Sequence, residues 1–163
     1  MKNFIRFAFV GMVMGIAISA CQPQTERTYQ GEWLGGEPQE IIAEIEHQFA
    51  GFSQTMWETA YRYQELYWAG VDDNWEYADY QLEHILEALE QGFVRRPDRE
   101  ASSAQFVNQS SPALLETIEA GDREAFLDQF SVFTATCNTC HAMEDVAFIT
   151  IVVPEVRASM VRF

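Results

Sequence analysis

From Phe126 onward the chain keeps a short rhythm. Phe126, Phe130, Phe133, Cys137 and Cys140 step by four, three, four and three, and His141 follows at once. Such steps return to one face of an α-helix, so this stretch predicts a helix whose apolar face ends in two thiols and an imidazole. Three phenylalanines on one face have to be buried, and other helices with matching stripes are the simplest cover. The end of the stretch reads Cys137-Asn138-Thr139-Cys140-His141, the C-x-x-C-H spacing of covalent haem attachment. Each thiol forms a thioether to one haem vinyl group, and the histidine directly after is aimed at the iron as proximal ligand. Other uses of paired thiols stay open. A zinc site needs four ligands, and the one remaining cysteine, Cys21, is distant. A redox-active C-x-x-C belongs beside a βαβ pattern, whereas these flanks read as helix. A disulfide across so short a span is strained.

The front of the chain points to export. Lys2 and Arg6 make a positive start, and 7–20 is apolar but shorter than the roughly 20 residues of a spanning helix. Ile18-Ser19-Ala20-Cys21 resembles the bacterial lipobox, in which the thiol takes a diacylglycerol and cleavage leaves Cys21 as the new N-terminus. An ordinary signal peptide and a transmembrane anchor are the alternatives. Haem is also attached outside the inner membrane, so both signals agree. Several acyl chains hold a domain stably where one alone does not. Gln22, in place of the aspartate of inner-membrane retention, favours the outer membrane. Residues 21–37, polar and punctuated by Gly31, Gly35 and Gly36, read as a tether. The expectation is a periplasmic, lipid-anchored domain spanning 38–163.

Charge narrows the partners. Without residues 1–20 the chain has 143 residues, enough for one domain, with 8 basic side chains against 25 acidic, a formal charge of −17. Nucleic acid and anionic lipid are poor partners for such a surface. An exported redox protein with a basic docking face is a good one, although the charge also serves solubility. Arg95, Arg96 and Arg99 are the single basic cluster, available to haem propionates or a partner, or simply solvated.

The remaining periodicity predicts four helices. The first runs from Pro38 to Gly70, with Ile41, Ile45, Phe49, Phe52, Met56, Tyr63 and Tyr67 on one face and Gly51 as a point of kinking or breakage. The second is capped by Asp73, with Glu76 three residues later, carries Ala78, Leu82, Ile85, Leu86, Leu89 and Phe93, and ends at Gly92. A loop is expected over 95–110. A short third helix begins at Ser111-Pro112 and stops at Gly121, and Asp122 caps the fourth. The tail, with Ile149, Ile151, Val152 and Val153 before Pro154, reads as an irregular or extended segment laid back over the helices. The fold expected is all-α, an antiparallel four-helix bundle with haem on its last helix.

Four helices with a late C-x-x-C-H resemble the class II c-type cytochromes, the cytochrome c′-like family, over about 38–147. A closer similarity is to exported bacterial monohaem cytochromes. There a helix with Met, Gln and Leu-x-x-Ala-Gly leads into Asn-Trp and then a Leu-rich acidic helix. Here these are Met56, Gln64, Leu66, Ala69, Gly70, Asn74 and Trp75, followed by Tyr80-Gln81-Leu82 and Leu86-Glu87-Ala88-Leu89. The resemblance implies one covalent haem c per chain, bound through Cys137 and Cys140, with His141 as proximal ligand. It also implies dimers through the first two helices. Six-coordinate relatives take a methionine of the first helix as sixth ligand, and Met56 matches it; cytochromes c′ proper leave that side open. Those proteins carry Arg or Lys four residues after the histidine, where this chain has Asp145.

Met143 is too close to His141 in sequence to reach the opposite haem face, Met12 and Met14 lie in the leader, and Met160 lies in the tail. His47 is about 13 Å along the helix from Met56, so only one of them can be level with the iron. His84 is expected at the surface. The leading expectation is an electron carrier, not an enzyme, since no distal His/Arg pair of a peroxidase is visible. A five-coordinate gas-binding protein and an accessory subunit of a larger redox complex are the alternatives.

Overall fold

The computed structural model describes residues 29–31, 33–159 and 161. Lys2, Arg6, Met12, Met14, Cys21 and Met160 lie outside the described residues, so the leader and the lipid site do too. The chain divides after Glu44 into two units. In the first, within the stretch read as tether, β1 (Tyr29–Gln30) pairs antiparallel with β2 (Gly35–Gly36), Tyr29 opposite Gly36. Helix α1 (Pro38–Gln48) begins there and buries no residue.

The expected long first helix is two helices. Ala50 takes a left-handed φ of 54° and Gly51 is non-helical, so α1 stops and α2 (Phe52–Val71) starts afresh. Without continuity the front of the predicted stripe leaves the core: Ile45 and Phe49 are exposed, while Tyr63, Leu66, Ala69 and Gly70 are buried. Helix α3 (Trp75–Arg95) buries Ala78, Leu82, Ile85 and Leu89, as its spacing predicts. Its cap is Asn74, one residue later than expected, whose side chain accepts from the Tyr77 N–H at 3.2 Å. Asp73 instead takes the left-handed turn position at φ 57°, and Gly92 continues the helix, where its missing Cβ lets Phe52 and Thr55 approach.

Most of the expected loop over 95–110 is helical: α3 ends at Arg95, a turn spans 96–98, and helix resumes at Arg99. Helix α4 (Arg99–Gln105) runs through one π turn, Phe106–Ser110, directly into α5 (Ser111–Ala120). Phe106 and Ser103 are buried there, a cover that polar composition concealed. The wider turn also accommodates Pro112, which lacks an N–H and would break a regular helix. Ser111 is therefore no N-cap: its N–H and hydroxyl both donate to the Phe106 carbonyl, the hydroxyl at 2.9 Å. Gly121, at φ 64°, closes α5, and the Asp122 carboxylate opens α6 (Arg123–Met143) by accepting from the Ala125 N–H at 3.1 Å.

Helix α2 packs along α3, α5 along α6, and α3–α5 and α2–α6 contacts complete the core. At its centre stand Phe126, Phe130 and Phe133, all fully buried. Phe130 meets Tyr63 at 4.8 Å and Tyr67 at 5.0 Å between ring centroids, and Phe133 meets Phe106 at 4.5 Å. Gly70 is required where α2 crosses Phe126: a Cβ there would stand 2.1 Å from the ring. Beyond α6 the tail has no regular structure and returns over the helices. Arg157 forms a bidentate pair with Asp72 (2.5 and 2.6 Å) and lies over the Trp68 ring, and Ser159 donates to the buried Glu65 carboxylate at 2.7 Å.

Candidate haem-attachment site on the last helix

The inward rhythm of α6 carries straight into the motif. Cys137 continues the buried face below Phe130 and Phe133 and packs against their core. Cys140, one step on, turns toward α4, its sulfur 3.8 Å from the hydroxyl oxygens of both Ser102 and Ser103. Both thiols are free. Burial, with Cys140 as the lesser cause, pushes the Cys137 thiol up to about 12. A redox or nucleophilic cysteine is tuned the opposite way, toward thiolate, so Cys137 lacks that preparation.

His141 is half-buried on the side of α6 that faces the tail. Its Nδ1 lies 2.7 Å from the Ile149 carbonyl oxygen. A carbonyl only accepts, so Nδ1–H is the donor and Nε2 is the ring nitrogen left for another partner. The chain reverses tightly to make this contact: Asp145 takes a left-handed φ of 58°, and the Val146 N–H donates to the His141 carbonyl at 2.9 Å. The sequence identified His141, but its tail partner followed from no motif.

Helices α2 and α6 run antiparallel, with a register fixed at two points. Gly70 faces Phe126, and the Tyr63 hydroxyl meets the Thr134 hydroxyl at 2.7 Å. Seven residues back along α2 thus match eight forward along α6, and the next such step pairs Met56 with Ala142, the residue after His141. Met56 is partly buried against the core. His47 is exposed on α1 beyond the break, so no single axis relates it to Met56. His84 is half-buried rather than exposed: its Nδ1 lies 2.8 Å from the Tyr80 carbonyl, and its ring lies 4.0 Å from that of Tyr80. Met143 is exposed.

The basic cluster divides at the same end of the molecule. Arg99 is paired with Glu144, just past α6. Arg95 donates to the Thr55 hydroxyl at 2.7 Å, and its Nε is buried without a partner. The Arg96 guanidinium lies over Gly51 and donates to the Arg95 carbonyl at 2.7 Å. Among the described residues Arg95 and Arg96 meet no carboxylate, whereas Arg62, Arg99, Arg123 and Arg157 each do. The Thr59 hydroxyl, one turn along α2 from Thr55, is also buried without a partner.

The donors present fit a haem held by two thioethers and one imidazole. They do not fit a bare metal ion: among the described residues no three His, Cys, Asp or Glu side chains gather around one point. A groove of about 350 Å³ between α3 and α5, lined by Leu82, Leu86 and Leu115, shares no residue with this constellation. No described helix is long and apolar enough to cross a membrane.

Tyr63 links the core to the tail, donating to the Val152 carbonyl at 3.1 Å, and its burial raises its pKa from 10.0 to about 12. Burial, then the Glu65 carboxylate, raises Tyr77 to about 12 as well. The folded protein therefore holds these protons more tightly than the unfolded chain. Their contribution is complete below pH 10 and is lost as pH rises to about 12. Urea unfolding across that window should show falling stability, with a smaller fall in Tyr63→Phe.

No family model, curated protein or solved structure matches the chain.

Proposed function

We propose that the chain is an exported, lipid-anchored c-type cytochrome of the class II kind, an antiparallel four-helix bundle that carries single electrons between redox proteins. The observation that carries this reading is one histidine with a committed Nδ1, directly after two free thiols one helical step apart. A haem bound here supplies a one-electron iron centre. Cys137 and Cys140 would tether it, and His141, its ring already oriented through Nδ1, would offer Nε2. Met56, on α2, would be the further iron ligand, a thioether that would raise the reduction potential. Arg95 and Arg96, which meet no carboxylate among the described residues, would receive the propionates. Phe130, Phe133 and Tyr63, buried beside Cys137, would keep water from that side of the site. None of these groups is set to act as acid, base or nucleophile, so electron transfer is favoured over an enzymatic role. The acidic exterior steers basic partners, and Cys21 carries the lipid that holds the domain on the periplasmic side of the outer membrane.

Carbon monoxide separates this reading from a five-coordinate gas-binding protein. The reduced wild type should resist carbon monoxide, and Met56→Ala should bind it rapidly with an altered visible spectrum. Spectra that match wild type in both oxidation states would remove Met56 as a ligand.

A further inference from the structure

We propose that Asn138, inside the cysteine pair, is a positioning residue for His141 and acts on it through the C-terminal tail. The proposal rests on the haem reading above. The Asn138 side-chain amide pairs with the backbone of Ile151 in both directions. Its Nδ2 donates to the Ile151 carbonyl at 2.9 Å, and the Ile151 N–H donates to Oδ1 at 2.7 Å. Nδ2 also reaches the Thr134 carbonyl at 3.3 Å, tying the amide to its own helix. Two residues before this anchor, the Ile149 carbonyl accepts from His141. On the other side, the Ile149 N–H donates to the Val146 carbonyl at 2.8 Å, and the Val146 N–H donates to the His141 carbonyl at 2.9 Å. The acceptor for His141 is thus held from both directions, and Asn138 is the side chain that holds it from beyond.

Only a planar group with one donor edge and one acceptor edge makes this pairing. Asn supplies both, Asp keeps only the acceptors, and Ala supplies neither. A ligand imidazole that donates Nδ1–H to a fixed carbonyl has a fixed ring plane and a more basic Nε2. Asn138 therefore tunes how strongly His141 donates to iron without touching iron or imidazole. The tail is also latched by Arg157 on Asp72 and Ser159 on Glu65, so loss of the Asn138 pairing frees the stretch around Ile149–Ile151 without releasing the whole segment.

The test compares purified wild-type holoprotein with Asn138→Ala and the milder Asn138→Asp. Haem content per chain comes first and is expected to be equal in all three. Amide hydrogen exchange at Ile151 should then quicken about tenfold in Asn138→Ala, in line with one lost hydrogen bond. It should quicken less in Asn138→Asp, which retains the acceptor for that N–H. The iron–histidine stretching frequency should fall and the reduction potential should rise in Asn138→Ala, because a less basic ligand stabilises ferric iron less. Faster exchange at Ile151 with unchanged iron–histidine frequency and potential would reduce Asn138 to a tail clamp and overturn the proposal. Unchanged exchange would overturn the pairing itself. A colourless wild type would instead overturn the haem reading and this proposal with it, an outcome separated from the other two by the first absorbance measurement.

Discussion

A chain with alanine at both Cys137 and Cys140 should fold and yet keep no haem once denatured. The two thiols are the only described cysteines, both are free, and they sit one helical step apart with the imidazole directly after the second. Each substitution removes a single sulfur from a partly buried position, a small loss compared with the truncation of an aromatic ring. The helical signal in circular dichroism should therefore survive. Colour should not survive acid–acetone extraction, because coordination by side chains, unlike a thioether bond, does not outlast the fold. Each single variant should retain haem through one remaining thioether, with a pyridine haemochrome band displaced to longer wavelength by the unreacted vinyl. Full colour on the denatured double variant would place the attachment elsewhere.

Phe130→Ala should destabilise the fold by about 3–5 kcal/mol, the range for an aromatic side chain removed from a closed core. Phe130 is fully buried and touches four rings: Tyr63, Tyr67, Phe126 and Phe133. These come from α2 and α6, so the cavity would open in the seam between the helices that carry Met56 and His141. Against a typical stability of about 5–15 kcal/mol this is a large fraction. The urea midpoint should drop sharply with little change in slope. Val132→Ala, two residues away but 52% exposed, should stay within about 0.5 kcal/mol of wild type. A comparable loss at both positions would contradict the assignment of the buried face.

The elements legible in the sequence are those fixed by short-range chemistry. The inward face of α6 was set by spacing, its start by Asp122, and the end of α5 by Gly121. Gly51 was visible as a weak point, but periodicity could not show that Ala50 would turn left-handed and carry Ile45 and Phe49 away from the core. The helical run from Arg99 through the π turn was hidden because Ser102, Ser103, Asn108 and Ser110 look like loop composition. Ser103, Phe106 and Ser110 are buried all the same, and the contact of α4 and the π turn with α6 is a long-range fact with no local signal. At the site, C-x-x-C-H announced Cys137, Cys140 and His141. The Ile149 carbonyl, the Asn138 pairing and the Arg95 Nε left without a partner depend on how a tail and a helix end fold back, and side-chain identity does not encode that.

The most direct measurement is the intact mass and visible spectrum of the full-length chain, made with working haem-maturation machinery, denatured and extracted with acid–acetone. Covalent attachment predicts a polypeptide that stays coloured, heavier by one haem, with no titratable thiol at Cys137 or Cys140. A colourless polypeptide of unmodified mass with both thiols free would contradict it.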